Sequence, residues 1–326
     1  MIESTPRIAP VGEVVGELRR RSSFVMVSHV KPDGDTLGAG LALGLALKKL
    51  GKRVAYFQQD SVPRNLGFLP DSNLVSAVLP ADLPPDTLFV FCDMSDPKRA
   101  GDRLPPVDRE NVLDIDHHLG NALFGKLNFV IEQECSTGSV VMRILRDLGV
   151  PLDARIATCI LAAIMTDTGG LMHSNTTPEA LDVAAELMRL GADKELITRE
   201  IFANKRVAAT KLLGRIIDAM RFEHGGRYCY SYVDDEMLAQ TGADGEDTED
   251  TVNVLLGQEG VDVAALFKAI EGEIRVSLRS SGRLNVQAAA QSLGGGGHFR
   301  AAGLTFHGTL SEAFASVEAA LVAQGL

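Results

Sequence analysis

The sequence predicts an α/β fold in two parts: an N-terminal domain with a parallel sheet flanked by helices, a helical linker, and a smaller C-terminal α/β domain with a mixed sheet. Three observations carry this expectation. Short apolar, β-rich runs alternate with longer helical patterns through the first half, as strands joined by crossover helices do. From Ser136 to about Met220 the pattern is mostly helical, and after "EHGGR" strand-like runs return. The resulting boundaries are 1–190, 191–220 and 221–326, and a length of 326 residues exceeds the usual size of a single core.

Taken in order, "FVMVSH", "RVAYF", "TLFVFCD" and "NVLDID" read as the strands of the first domain. Between the first two, "DTLGAGLALGLALKKLGK" has the Ala/Leu spacing of a buried helix that stops at Gly51, completing a βαβ unit. "STGSVVMRILRDLG", "LDARIATCILAAIMTD" and "TPEALDVAAELMRLG" read as helices, with two more before Met220. In the second domain "YCYSYV", "VDVAALFKAI", "EIRVSLRS" and "AAGLTF" read as strands, with a helix over "NVQAAAQSL" and a last helix at the end.

A net charge of -11 argues against broad adhesion to long nucleic acid or to an anionic membrane, so any anionic substrate must be captured locally. Cys92, Cys135, Cys159 and Cys229 are scattered with no CxxC pair, which indicates neither a thiolate metal site nor a disulfide framework and suits a reducing cytoplasm. The first 27 residues lack the uninterrupted apolar core of a signal peptide and no later run is long enough to span a membrane, so the expectation is a soluble cytoplasmic protein.

Four acidic or histidine-bearing stretches follow strands or end a helix, where open parallel sheets place their ligand sites. "SHVKPDGDTLG" offers His29, Asp33 and Asp35; Asp35 or Thr36 could simply cap the next helix, but three oxygen and nitrogen donors in seven residues suit a hard divalent cation better. In "FCDMSDPKR", Asp93 emerges where a strand meets the crevice, whereas Asp96 reads as a cap or turn former. "IDHHLG" sets Asp116 before His117 and His118, whose side chains, adjacent on an extended segment, point to opposite faces and so take separate tasks. In "AAIMTDTGG", Asp167 ends a helix, where a carboxylate opposes the helix dipole and calls for a cationic neighbour. Together these supply enough donors for two cations about 3.5–4 Å apart, the arrangement that stabilises both attacking and leaving oxygens in phosphoryl transfer. With no thiolate in the set, Mn or Mg is favoured over zinc. In "LGGGGHFRAAG", the run Gly294 to Gly297 lets backbone amides approach an anion, and "SLRSSG" adds Arg279, Ser280 and Ser281 as phosphate donors.

The ordered set resembles the DHH phosphoesterases, named for the Asp-His-His found here at Asp116, His117 and His118, with "GGGGH" similar to the signature of their DHH-associated C-terminal domain. The resemblance covers nearly the whole chain and is greatest to the bacterial branch that degrades very short RNAs and removes the 3'-phosphate of adenosine 3',5'-bisphosphate (pAp). It implies a catalytic domain over 1–190 and a substrate-binding domain over 221–326. It implies one metal on His29, Asp33 and Asp93 and another on Asp35, Asp93, His117 and Asp167, with Asp93 bridging, His118 on the scissile phosphate and Asp116 orienting the histidines. It assigns Arg279, Ser280, Gly296, Gly297 and His298 to the far end of the nucleotide, and implies Mn as the usual cofactor and a homodimer. A cyclic di-AMP or pApA phosphodiesterase, and a nucleotide sensor without turnover, are the alternatives. The residues do not separate nanoRNA, pAp, pApA and cyclic di-AMP as substrates, nor do they give the polarity of cleavage.

Overall fold

A computed structural model describes residues 7–249 and 251–326, and the chain divides into a first unit ending at Asn204 and a second unit from Lys205 to Leu326. The division falls inside the segment 191–220. Ile197 and Ile201 pack into the first unit's core, whereas Leu212 and Ile216 pack against Cys229, Val233 and Leu266 of the second.

The first unit comprises α1 (Val11–Arg20), β1 (Ser23–Val27), α2 (Gly34–Lys49), β2 (Arg53–Phe57), β3 (Val75–Ser76), β4 (Leu88–Cys92), β5 (Val112–Asp116), β6 (Leu127–Val130), α3 (Thr137–Leu148), α4 (Ala154–Asp167), α5 (Pro178–Arg189) and α6 (Lys194–Ile197), followed by a π-helical turn. Its six strands are all parallel in the order β3-β2-β1-β4-β5-β6. The four expected strands are β1, β2, β4 and β5. The two at the edges, β3 and β6, are only two and four residues long, too short to show a period in sequence. Alternation along β1 sends Phe24 and Met26 into the core shared with the helices, and Val25 and Val27 to the other face, under loop residues such as Leu104 and Phe124.

Every residue of α2 from Gly34 to Leu47 is buried, so this helix lies in the middle of the unit and not on its surface. Close packing explains its glycines. A Cβ on Gly38 would come 2.4 Å from the carbonyl oxygen of Cys159 in α4, and one on Gly138 at the start of α3 would come 2.4 Å from the Ala163 Cβ. These two approaches draw the N-terminal parts of α2 and α3 up to the middle of α4.

The second unit comprises α7 (Val207–Asp218), β7 (Arg221–Glu223), β8 (Tyr228–Asp234), α8 (Asp235–Thr241), α9 (Thr251–Leu256), β9 (Val263–Ile270), β10 (Glu273–Ser280), α10 (Val286–Ser292), β11 (Gly296–His298), β12 (Ala301–Phe306) and α11 (Leu310–Val322). The sheet order is β11-β12-β10-β9-β8-β7, antiparallel except for the parallel β8–β9 pair, which makes it the expected mixed sheet. The glycine run is neither a linker nor a loop over its whole length, because Gly296 to His298 form edge strand β11.

The close approaches predict opposite signs for the same substitution. Gly38→Ala should lower stability by about 1–3 kcal/mol through overpacking. Gly16→Ala, in α1 with nothing within 4 Å of the added Cβ, should raise it by up to about 1 kcal/mol through helix propensity. Denaturant midpoints measured side by side check this, and a Gly38→Ala protein at least as stable as the parent would contradict the packing.

Candidate metal centre

The strand order reverses between β1 and β4, and the crevice beyond the carboxyl ends of such a pair is where open α/β sheets bind ligands. His29 leaves β1 and Asp93 leaves β4 on either side of that point, and Asp116 to His118 leave β5 next door. Asp93 has φ of 64°, a left-handed conformation uncommon for a residue with a side chain, while both its neighbours Cys92 and Met94 are buried. Its amide donates to the Ile115 carbonyl at 2.9 Å, which pins the strained residue to β5.

The two histidines are oriented by the same device. The Nδ1 of His29 donates to the Val30 carbonyl at 2.9 Å and that of His117 to the Glu134 carbonyl at 3.1 Å, so each ring turns its Nε2 toward the carboxylates. His29 Nε2 lies 3.3 Å from Asp93 Oδ2 and 3.6 Å from Asp33 Oδ2, yet is buried without a formed hydrogen bond. His117 Nε2 lies 3.6 Å from Asp93 Oδ1, 3.7 Å from Asp35 Oδ2 and 3.8 Å from Asp167 Oδ2. Asp93 therefore offers one oxygen to each side. His29, Asp33 and Asp93 form one group, and Asp35, His117 and Asp167 another, with the donor atoms of each group within 4.8 Å of one another.

Asp33 caps α2, its Oδ1 accepting from the amides of Asp35 and Thr36, so the capping role falls to Asp33 and not to Asp35 or Thr36. This frees the buried Asp35 to take the N-terminus of α3, whose Thr137 and Gly138 amides donate to it at 2.7 and 2.8 Å. Asp167 ends α4 as expected, and the neighbours that offset its charge are the His117 imidazole and the Asn175 amide, the latter donating at 3.2 Å. Asp96 caps a 3-10 turn by accepting from the Lys98 amide.

His117 and His118 do not face opposite ways as expected. Their ring centroids are 4.8 Å apart and both approach Asp93, because β5 ends at Asp116 and strand alternation stops there. His118 is nevertheless held separately, its Nδ1 donating to Asp116 Oδ1 at 2.7 Å. Three contributors went unread in the sequence. Thr137 donates its hydroxyl to Asp93 Oδ1 at 3.0 Å. Asn121 donates to Asp116 Oδ2 at 2.7 Å and to the Met94 carbonyl at 3.2 Å, tying the Asp116–His118 pair to the Asp93 loop. Asn175 braces Asp167. Only Thr137 carried a signal, as part of the helix start "STGS".

Electrostatics point to a cation. Burial, then the charges of Asp93 and Asp167, push Asp35 well above the usual carboxylate range. Burial and the neighbouring carboxylates likewise raise Asp167 to about 6. Burial opposes a charge on His29, but Asp33 and Asp93 outweigh it and raise the imidazole to about 10. Burial also opposes a charge on His118, and Asp116 and Asp93 raise it regardless. Asp93 moves the other way: despite its burial, the surrounding imidazoles, His29 first, hold it below the usual range. Clustered carboxylates with a buried imidazole nitrogen set among them fit hard divalent cations.

In the second unit the register Arg279–Ala301–His298 runs straight across β10, β12 and β11, which sets Arg279 and His298 on one face. The next row, Ser277–Gly303–Gly296, gives that face an almost bare floor. Ser280 is buried, with its Oγ accepting from the amides of Gly282 and Leu284. A Cβ on Gly297 would lie 2.5 Å from the Ala301 carbonyl oxygen, so this glycine lets β11 and β12 come together.

Comparison with known proteins places these features in context. Residues 23–164 match the model of the DHH family, N-terminal domain, and residues 225–323 that of the DHHA1 domain. The chain is 38% identical over 284 residues to the bifunctional oligoribonuclease and PAP phosphatase NrnA of Thermus thermophilus, covering 87% of this chain and 84% of that one. It is 25% identical to the cyclic-di-AMP phosphodiesterase PdeA of Listeria monocytogenes over 90% of this chain but only 46% of that protein. A crystal structure of an exopolyphosphatase-related protein from Bacteroides fragilis superposes with a TM-score of 0.87 at 25% identity, over 96% of this chain and 95% of that one.

The titrations set the pH dependence of a bound cation's effect. His29, raised from 6.5 to about 10, stabilises the metal-free fold fully below pH 6.5, and that contribution is lost as pH rises toward 10. Asp167, raised from 3.8 to about 6, stabilises only while protonated, so its ionisation weakens the fold as pH rises through that window. A divalent cation needs both groups deprotonated. The rise in Tm on adding Mn2+ or Mg2+ should therefore be larger at pH 8 than at pH 6; equal increments, or none, would count against a cation site here.

Proposed function

Because this chain belongs to the DHH phosphoesterase family, we propose that it is a divalent-metal phosphohydrolase that cleaves very short RNAs to mononucleotides and removes the 3'-phosphate of pAp. What supports the reading is the convergence of His29, Asp33, Asp35, Asp93, His117 and Asp167 beyond the β1–β4 switch point, together with 38% identity to a relative named for both activities. Cleavage of pApA or cyclic di-AMP is the second reading, favoured by the likeness to PdeA. A relative matched over most of its own length weighs more than one matched over less than half.

His29, Asp33 and Asp93 would hold one cation, and Asp35, Asp93, His117 and Asp167 the other, with Asp93 shared through its two oxygens. The chemistry that two such ions, most readily Mn and alternatively Mg, would supply when bound is activation of water and Lewis-acid polarisation of the phosphoryl oxygens. The remaining steps belong to side chains. His118, whose imidazole Asp116 and Asp93 raise against the effect of its burial, would direct its Nε2 side at a phosphate oxygen and stabilise the charge that develops there. Asp116 fixes the tautomer and tilt of that ring, and Asn121 holds Asp116 in turn. The Thr137 hydroxyl aims Asp93, and the Thr137 and Gly138 amides at the start of α3 aim Asp35. Arg279, Ser280, Gly296, Gly297 and His298 are the proposed contacts to the far phosphate or base. The same reading includes a cytoplasmic homodimer and no use of long duplexes, the last in keeping with a net charge of -11.

After chelation and Mn readdition, the protein should release phosphate from pAp and mononucleotides from two- to five-nucleotide RNAs, ahead of pApA and cyclic di-AMP in a parallel panel. Asp93→Asn should be inactive, and His118→Ala should lose about 10²- to 10⁴-fold in kcat. Failure on pAp and on RNA dinucleotides, with Asp93→Asn indistinguishable from the parent, refutes the reading. Asn121→Ala should lower kcat more than it raises KM, since it disturbs the aim of His118 and not substrate capture; a change confined to KM would remove Asn121 from that role.

A further inference from the structure

The hairpin joining β11 to β12 turns through Phe299 and Arg300, two residues to which the reading above gives no task. Phe299 is 47% exposed, a large aromatic side chain at a turn. Its backbone is not loose: the Phe299 carbonyl accepts from the Val286 amide at 3.0 Å, and the Arg300 carbonyl accepts from the Ser280 amide at 2.9 Å. The tip is thereby tied to the start of α10 and to the end of β10. Arg300 lies across Gly282, with Nε, Nη2 and Cζ all 2.9 to 3.0 Å from where a Cβ on that glycine would be. Gly282 has φ of 107°, a backbone conformation that residues with a side chain rarely adopt, and its bare Cα lets the guanidinium lie there. Next to the tip lies the face carrying Arg279 and His298 over its floor of Ala301, Gly303 and Gly296.

An exposed ring on a pinned backbone, with an arginine next to it in the chain, has the makings of a platform for a nucleobase. Stacking on such a ring is tolerant of base identity and contributes about 1–3 kcal/mol per base, and a neighbouring arginine adds cation–π and phosphate contacts. We propose that Phe299 stacks on one base of the substrate and that Arg300 holds the phosphate next to it, so that the hairpin selects nucleotides over simple phosphate esters with little preference for base. This deepens the proposed function and rests on its nucleotide reading. It assigns to Phe299 and Arg300 a part that neither the metal centre nor the glycine run supplies.

The chain contains no tryptophan, so Phe299→Trp introduces a single indole reporter at the tip. In an Asp93→Asn background, where ligand binds without turnover, titration with AMP or an RNA dinucleotide should quench its emission saturably, while ribose 5-phosphate and inorganic phosphate should not. Adding Arg300→Ala should weaken the apparent affinity about tenfold. In the otherwise unaltered enzyme, Phe299→Leu should raise KM for the dinucleotide about tenfold, and Phe299→Tyr should restore most of it. No quenching by nucleotide from a protein whose parent hydrolyses the dinucleotide overturns the platform, as does equal quenching by ribose 5-phosphate or a Phe299→Leu KM equal to the parent's. Saturable quenching by nucleotide alone, with a parent that hydrolyses nothing, upholds the platform and overturns the phosphohydrolase.

Discussion

Like charge held out of water is the constraint from which the first unit's architecture follows. Asp35 and Asp93 are buried and Asp167 is half-buried, all within reach of one imidazole. Isolating ionised carboxylates in this way costs several kcal/mol each unless something repays it. The protein repays part of it locally, with α3 amides on Asp35, a threonine hydroxyl on Asp93 and an asparagine amide on Asp167. The remainder shows in the raised carboxyls of Asp35 and Asp167 and in the imidazole of His29, held protonated well above its usual range. A pocket with that imbalance is poised to exchange protons for cations.

Assembling such a pocket requires elements that would not otherwise meet so closely. The sheet reverses direction of construction between β1 and β4, which opens a crevice, and glycines at 34, 38 and 138 let α2, α3 and α4 close on one another. A Cβ on Gly34 would lie 2.4 Å from the Thr166 side chain, one residue before Asp167. Asp93 adds a left-handed backbone at the point where its two oxygens are shared between imidazoles. Strain and tight packing are concentrated where the donors are, as is common when a structure holds a site against local preference.

The second unit solves a different problem. Its β10 alternates buried Ile274, Val276, Leu278 and Ser280 with outward residues ending in Arg279, so one face carries the core and the other stays open beside β12 and β11. Small residues on that open face leave backbone and a few charged groups as the accessible chemistry. Such a surface suits a flat, anionic ligand better than an apolar one.

Sequence periodicity alone revealed the α/β class, the four principal strands of the first sheet and the four longer strands of the second, because those segments are long enough and apolar enough to show their period. Residue chemistry alone marked the four stretches that hold His29, Asp33, Asp35, Asp93, Asp116, His117, His118 and Asp167, and the family resemblance singled out the metal ligands among them. Short edge strands β3 and β6 escaped notice for want of length. Thr137, Asn121 and Asn175 escaped because a hydroxyl or amide acquires its role only from the group it faces, and those partners lie 44, 5 and 8 residues away in the chain. Which aspartate caps α2 and which one is left for the pocket, and that His117 and His118 both approach Asp93, were decided by tertiary structure: hydrogen-bond geometry at a helix start and the exact end of a strand depend on neighbours that no local pattern encodes.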